Sequence, residues 1–408
     1  MTPLDRFHAC MNYQPGDRVP NHEVGVWVQT KQRWRAEGLP ADDLHWDWFT
    51  GEPRWDLDPR EYIDVRTDMV PPFEVKVLSR EGEIEVIRGA NGVTTKALIT
   101  GTAEGMRMSM DEYISFPVTT PADFQELKHR FRPSCPVRHP LHWREFLLPG
   151  WARRQHPLIL GRNCSILGYY WRAREWMGTE NLSYAWYDEP AMMHEMMEFI
   201  TDFTIEAVRP ILEAGVKPDY VFINEDLSMK NGPLLSPETY RTFIFPQLKR
   251  LIAYLKSAGV RWVIIDTDGN CELVIKPFME AGVDAIWPLE RASDMDPLDI
   301  RKKFGRDLRL WGGVDKRELA KDLAAIDAHL RTLQPLIADG GFIPSVDHLV
   351  PPDVSLANFE HYMHRKHQLL RGEAFNHECT PFLADFPNPP SLDQRKLARM
   401  SGQPPPSP

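Results

Sequence analysis

Cysteine is scarce in this chain. The five residues, Cys10, Cys135, Cys164, Cys271 and Cys379, are odd in number, widely scattered and form no C-x-x-C pair. That spacing argues against a disulfide scaffold and against a Cys-rich zinc site. Positive charge is also short. Against 58 Asp and Glu stand 48 Lys and Arg, a net charge of −10 over 408 residues. Such a balance speaks against a nucleic-acid footprint. No apolar run is long enough to cross a bilayer, and the N-terminus lacks the basic-then-apolar pattern of a signal peptide, so the expected location is the cytoplasm with no membrane partner. No Gly-rich dinucleotide fingerprint follows any strand, which weakens an open nucleotide-binding sheet. The chain is 42% hydrophobic, ordinary for a soluble globule. Its length suits one large α/β domain with additions, or two domains.

What is present is more specific. The apolar run Val263-Ile264-Ile265 stops at Asp266-Thr267-Asp268-Gly269-Asn270. The run reads as a buried strand, and chemistry in α/β sheets sits just past strand ends. Alternate side chains of a strand face the same way, so Asp266 and Asp268 are expected to point together. Paired carboxylates repel unless a cation, a shared proton or a substrate donor lies between them. Thirteen Trp is a high count. Trp27, Trp171, Trp287 and Trp311 fall where a pocket would be, although core filling is the default role of any one Trp.

The rest of the chain alternates strand and helix. A short strand is expected at 22–28. A β-meander with hairpin turns follows near residues 73–108 and reads as an insertion. From about residue 120 the strands 158–161, 220–223, 261–265, 285–287, 308–311 and 342–344 alternate with helices at 121–131, 189–214, 236 onward, 271–281, 297–304 and 316–338. Successive β–α units imply a parallel sheet. With the earlier strands the count approaches eight, so the fold class is α/β, a (β/α)8 TIM-type barrel with the inserted meander, over residues 1–372. Residues 373–408 form a Pro-rich C-terminal tail, read as an extended or disordered arm.

In such a barrel every strand ends on one face. The ends here carry Glu225 and Asp226, Asp266 and Asp268, Glu290, Asp315, and Asp347 with His348. Each acid alone could be a helix cap, and Asp315 before Lys316 fits one well. Together they imply a bound metal, a cationic substrate or raised pKa values. His348, beside Asp347 and ahead of Val350-Pro351-Pro352, is the leading catalytic candidate. His361, His364 and His367 have metal-like spacing but lie in a basic amphipathic helix, where a solvated face is expected.

These strand ends resemble the uroporphyrinogen decarboxylase superfamily, which also holds cobalamin-linked methyltransferases. The matching segments are Gly232-Pro233-Leu234-Leu235-Ser236-Pro237-Glu238, Asp266-Thr267-Asp268-Gly269-Asn270, Trp311-Gly312-Gly313-Val314-Asp315 and Asp347-His348-Leu349-Val350-Pro351-Pro352-Asp353-Val354. The likeness runs from about residue 150 to 370, and more loosely back to residue 5. True decarboxylases carry an Arg-Gln-Ala-Gly-Arg clamp for the porphyrinogen acids. Here the region reads Val28-Gln29-Thr30-Lys31-Gln32-Arg33-Trp34, without the double arginine. An acidic rim is also a poor host for eight substrate carboxylates.

Thiol-methylating members hold zinc with a His-x-Cys-Gly-Asn segment and a later Cys. In this chain Asp266 and Asp268 stand at the first two positions, and Asp347 or His348 near the third. The resemblance thus implies Asp266, Asp268, His348 and Glu225 as the residues able to hold zinc, in a harder and more Lewis-acidic site. Methyl transfer from a methoxy compound or amine to a corrinoid fits that chemistry, because the difficulty lies in the leaving group, which needs a proton or a Lewis acid.

The expected roles are therefore catalytic for His348, Asp268 and Glu225, and substrate-binding for Trp27, Asn270, Glu290, Trp311, Asp347 and Arg162. The expected partners are a small methoxylated or N-methylated donor and a corrinoid-carrying protein, since no cobalamin-binding segment of Asp-x-His-x-x-Gly type is evident. A homo-oligomer is compatible with the sequence. The competing enzyme reading is a metal-free decarboxylase or lyase of a small acid, with Arg33, Arg162, Arg172 and Arg174 as candidate carboxylate binders. A non-catalytic binding protein is a third reading, disfavoured because crowded acids are a stability cost with no structural return.

Overall fold

The computed structural model describes residues 1–40, 48–103, 106–107, 111–161 and 166–375. One parallel sheet organises the chain. Its strands are β1 (Glu61–Ile63), β2 (Leu158–Leu160), β3 (Tyr220–Asn224), β4 (Trp262–Asp266), β5 (Ala285–Trp287), β6 (Arg309–Val314) and β7 (Phe342–Val346), adjacent in that order. All six pairings are parallel. The pair Ile166–Leu167 continues beyond β2 and joins the far end of β3. Apart from the half-buried Glu61, Tyr62, Asn224 and Arg309, the residues of these strands are buried, and they are rich in Val, Ile and aromatic residues, as a sheet covered on both faces requires.

The expected strand at 22–28 does not form. Only Val26 makes a bridge, with Val350, and a helix begins at Val28. Polar contacts hold the segment instead. Asn21 O accepts from Asp58 N–H at 2.8 Å, just ahead of β1. The Glu23 carboxylate accepts from Val346 N–H at the end of β7 (3.0 Å). Glu23 also binds Lys366 Nζ and the Tyr362 hydroxyl, both fully buried. This segment therefore spans from β7 round to β1. The architecture is a curled parallel α/β sheet of TIM type, with seven regular strands and a polar-pinned segment beside the seam.

The sheet encloses an apolar interior of Phe222, Trp262, Ile264, Trp287, Trp311 and Ile343. Helix Pro3–Met11 closes its lower end. Phe7 packs on Tyr220 and Trp262, the first residues of β3 and β4, and on Trp311. The outer core lies between the strands and helices such as Pro190–Glu213, Phe245–Ser257 and Leu356–Leu370. With the floor plugged, the open end of the sheet is the one formed by the C-terminal ends of the strands.

Two expected helices are interrupted. The one from Ser236 contains a π-helical turn, Tyr240–Ile244, and the one over 316–338 is split into Lys316–Leu319 and Leu323–Asp339. Asp322 starts the second piece by accepting from Ala325 N–H. The insertion is a four-stranded antiparallel meander, Lys76–Glu81, Ile84–Arg88, Thr94–Leu98 and Glu112–Ser115, so its last strand lies beyond the expected end near 108.

The solvated histidine face expected on the last helix is corrected by the structure. His361 and His367 are buried, and His361 meets Asp327 at 2.7 Å. Arg365 also reaches Asp327, and Lys366 reaches Glu23. The helix reads as basic, but acids from distant segments draw its charges inward.

Candidate functional site at the acidic mouth

Register brings the first polar groups together. Asn224 pairs with Asp266, and Asp266 with Trp287, so three inward-facing side chains sit side by side at the upper end of the barrel. Asp266 is 9% exposed and ends β4 rather than following it. Burial drives its pKa well above the ordinary carboxylate value, and Asp268 and Asp226 push it further. Asn224 presents a buried Oδ1 that has no hydrogen-bond partner.

Asp268 lies one step higher and half exposed. Its pKa is raised to about 7, first by burial and then by Glu290 and Asp226, while Lys316 and Arg174 oppose the rise. His348 Nε2 stands 3.6 Å from Asp268 Oδ2, and its ring stacks on Trp27 with centroids 6.1 Å apart. Burial, then the Lys316 charge, lowers the His348 pKa. Near neutral pH the pair therefore comprises a carboxyl group that still keeps its proton in a large share of molecules and an imidazole that is mostly neutral.

A second layer surrounds them. Lys316 Nζ donates to Glu290 Oε1 at 2.8 Å and lies 3.8 Å from Asp347 Oδ1. Asp347 is wholly buried and accepts from the backbone N–H groups of Arg291 (2.9 Å) and Lys316 (3.2 Å). Glu290 also accepts from Gly269 N–H at 3.1 Å. Although burial opposes it, the Lys316 contact holds Glu290 below the usual carboxylate pKa. Arg174 pairs with Asp226 and lies over the half-buried Trp171. Both of these mouth cations are thus already engaged by carboxylates.

The loops that carry these groups depend on close backbone approach. A Cβ on Gly312 would stand 1.8 Å from Pro288 O, and Gly312 has φ +105°. The next residue, Gly313, donates its N–H to that same oxygen. This is why the Trp-Gly-Gly-Val-Asp segment is readable: it lets the β5 and β6 loops touch. Gly269 passes under Ser228 O in the same manner.

Not every expected residue converges on the mouth. Glu225 is fully buried and turned away, and its Oε2 caps helix Tyr169–Met177 by accepting from Tyr169 N–H (3.0 Å) and Tyr170 N–H (2.8 Å). Burial raises its pKa to about 7. Asn270 Oδ1 accepts from Glu272 N–H and caps helix Glu272–Ala281. Asp315 caps as expected. Trp311 is 3% exposed and stacks on His22 within the barrel interior, and both it and Trp287 pack on Phe222. Arg33 binds the carbonyls of Pro352 and Asp353, not the mouth, and Arg172 pairs with Glu175. Arg162 lies outside the described residues.

The residues expected to hold zinc do not fit a ligand set. Glu225 is committed to a helix end, and no group of three His, Cys, Asp or Glu among the described residues is placed to hold a metal ion. Lys316 and Asn224 were absent from the expected site. Lys316 follows a helix-cap Asp, and nothing in the local pattern shows its chain bending back over the mouth.

A barrel of this type with acids, an imidazole and an amine at its upper end belongs to a broad class of α/β-barrel proteins. A narrower assignment comes from the comparisons. Residues 167–369 match the family model described as Uroporphyrinogen decarboxylase (URO-D). Similar proteins include the uroporphyrinogen decarboxylases of Nocardia farcinica (28% identical over 173 residues, 41% of this chain and 46% of the relative) and Myxococcus xanthus (26% over 179 residues, 42% and 47%). The chain spans about half the length of these relatives. Among solved structures, a methyltransferase from Methanosarcina mazei aligns with TM-score 0.51 at 14% identity, covering 90% of this chain and 99% of that one. At that identity the likeness concerns the fold alone.

Proposed function

We propose that the protein is a methyltransferase that moves a methyl group from a small methoxylated or N-methylated compound to a corrinoid on a separate carrier protein. The observation that carries this reading is the Asp268–His348 pair. Asp268 keeps its proton to about pH 7 at a half-exposed position. It can therefore protonate an oxygen or nitrogen as that atom leaves the methyl carbon. The bond from the methyl carbon to the leaving atom breaks, the methyl passes to the acceptor, and the proton passes from Asp268 to the leaving atom. The reduced corrinoid enters as second substrate and supplies the nucleophile. His348, 3.6 Å away and mostly neutral, can return a proton to Asp268 from solvent. Trp27 and Trp171 supply apolar surface for the donor.

The second reading, decarboxylation of a small acid, draws support from the names of the URO-D relatives. It is weaker here because Lys316 and Arg174 already serve carboxylates of the chain. The test is an absorbance assay with reduced corrinoid and a panel of methoxyaromatics, methylamines and betaines. Methylated corrinoid should form with one donor class, and Asp268→Asn should slow it about 10²–10⁴-fold. Turnover at the wild-type rate in Asp268→Asn would remove the proposed acid. Carbon dioxide release from a carboxylated substrate, with no corrinoid requirement, would establish the second reading.

A further inference from the structure

The inserted meander is the most unusual surface of the molecule. Of the exposed large hydrophobic side chains among the described residues, eight lie between Val75 and Ile114. Val75, Val77, Leu78, Tyr113 and Ile114 are 41–59% exposed. In the strand Lys76–Glu81 every residue is exposed, and the strand is at the edge of its sheet, with one side unpaired. A long exposed edge carrying apolar groups is a template for another strand.

The sequence of this edge complements itself. Lys76 and Glu81 pair with Arg88 and Ile84 across the sheet, and Val77 and Arg80 pair with Ile87 and Glu85. The bulge between Val77 and Ser79 thereby puts Lys76 and Glu81 on one face, and Val77 and Arg80 on the other. Turned about a two-fold axis between Leu78 and Ser79, the strand meets its own copy with matching faces. Lys76 falls opposite the partner subunit's Glu81, and Val77 opposite the partner subunit's Arg80. The two-fold creates the first contact twice. Neither Lys76 nor Glu81 has an ion-pair partner among the described residues, whereas Arg80 already holds Glu85. Charged side chains usually blunt an edge, but here the two ends of the strand carry opposite charges, which attract rather than repel in an antiparallel pair with a copy.

We propose that two copies of this chain associate edge to edge through antiparallel pairing of the strand Lys76–Glu81. The occupant of the exposed edge is thus a second copy, and the dimer owes nothing to the chemistry at the mouth.

Sedimentation velocity of the full chain over a range of concentrations tests this. A reversible dimer is expected. Lys76→Glu turns both symmetry-related attractions into repulsions, and should weaken association by about tenfold or more. The double variant Lys76→Glu/Glu81→Lys restores the charge pairs and should recover the dimer. Both substituted residues are at the surface, so folding is not at stake. A chain that stays monomeric, a dimer indifferent to Lys76→Glu, or a double variant no tighter than the single one overturns the proposal. Binding of a different protein by a monomeric chain overturns it too.

Discussion

At the scale of single residues, the mouth works by dividing carboxylates into two kinds. Glu290 is kept ionised by Lys316, while Asp266 and Asp268 sit where burial and their neighbours' charge favour the proton. Lys316 separates the two groups. Removing its charge in Lys316→Met should raise the Asp268 pKa further, because Lys316 opposes the rise. If protonated Asp268 is the acid, activity falls as pH climbs through about 7, and the falling limb should move to higher pH in the variant. A pH–rate profile with an unmoved limb in Lys316→Met would detach Lys316 from the acid.

Glu225 needs a separate test, since its position after β3 made it look catalytic. Its carboxylate caps a helix, and Gln keeps an acceptor oxygen for the same two N–H groups. Glu225→Gln should retain near-wild-type turnover, whereas Glu225→Ala should destabilise the fold by about 1–3 kcal/mol through lost capping. The pH dependence has a definite sign. The folded pKa is about 7 against an ordinary 4.5, so the folded state binds the proton more tightly. This contribution to stability is complete below pH 4.5 and is lost as pH rises through 7. Denaturant titrations from pH 4.5 to 7.5 should show a smaller decline in Glu225→Gln than in wild type.

At the scale of elements, the loop segments are where sequence and geometry correspond most closely. Trp-Gly-Gly-Val-Asp is legible because a side chain at Gly312 would collide with Pro288 O. Gly312→Ala should cost about 2–4 kcal/mol and displace the Glu290 loop, lowering both melting temperature and activity. A melting temperature within a degree or two of wild type would mean that the β5–β6 contact yields cheaply. Strand and helix order was also legible, because buried parallel strands are apolar runs and the intervening helices carry caps such as Ser236. Three features were not. The 22–28 segment resembles a strand but is held by side-chain contacts to residues over 300 positions away. The last helix looks amphipathic and solvated until Asp327 and Glu23 are brought against it. Helix 316–338 breaks where Asp322 caps a new start.

At the scale of the whole molecule, the weak point of the curled sheet is the seam between β7 and β1. Glu23 and Lys366 are buried there as an ion pair at 2.5 Å, with side chains 1% and 0% exposed. Breaking one partner leaves the other charged group without compensation. Lys366→Met should destabilise by about 3–5 kcal/mol, and Lys366→Met/Glu23→Gln by less than the single change. Chemical denaturation of the four combinations measures the coupling, and additive effects would show that the two do not act as a pair. Because Glu23 also holds Val346 N–H, one residue before Asp347, a loosened seam should be felt in activity as well.

The sequence alone determined the parallel α/β class, the order of its elements and the face on which the acids gather, because these follow from local periodicity and from what ends each strand. It also singled out Asp266, Asp268 and His348. Tertiary structure decided which acids serve the mouth and which serve helix ends, and so gave Glu225 to the start of helix Tyr169–Met177. It alone brought Lys316 over Asp347 and Glu290 and turned the last helix's charges inward. The reason is physical: a strand fixes the direction of its own side chains, but a charge takes its role from whatever the rest of the chain packs against it.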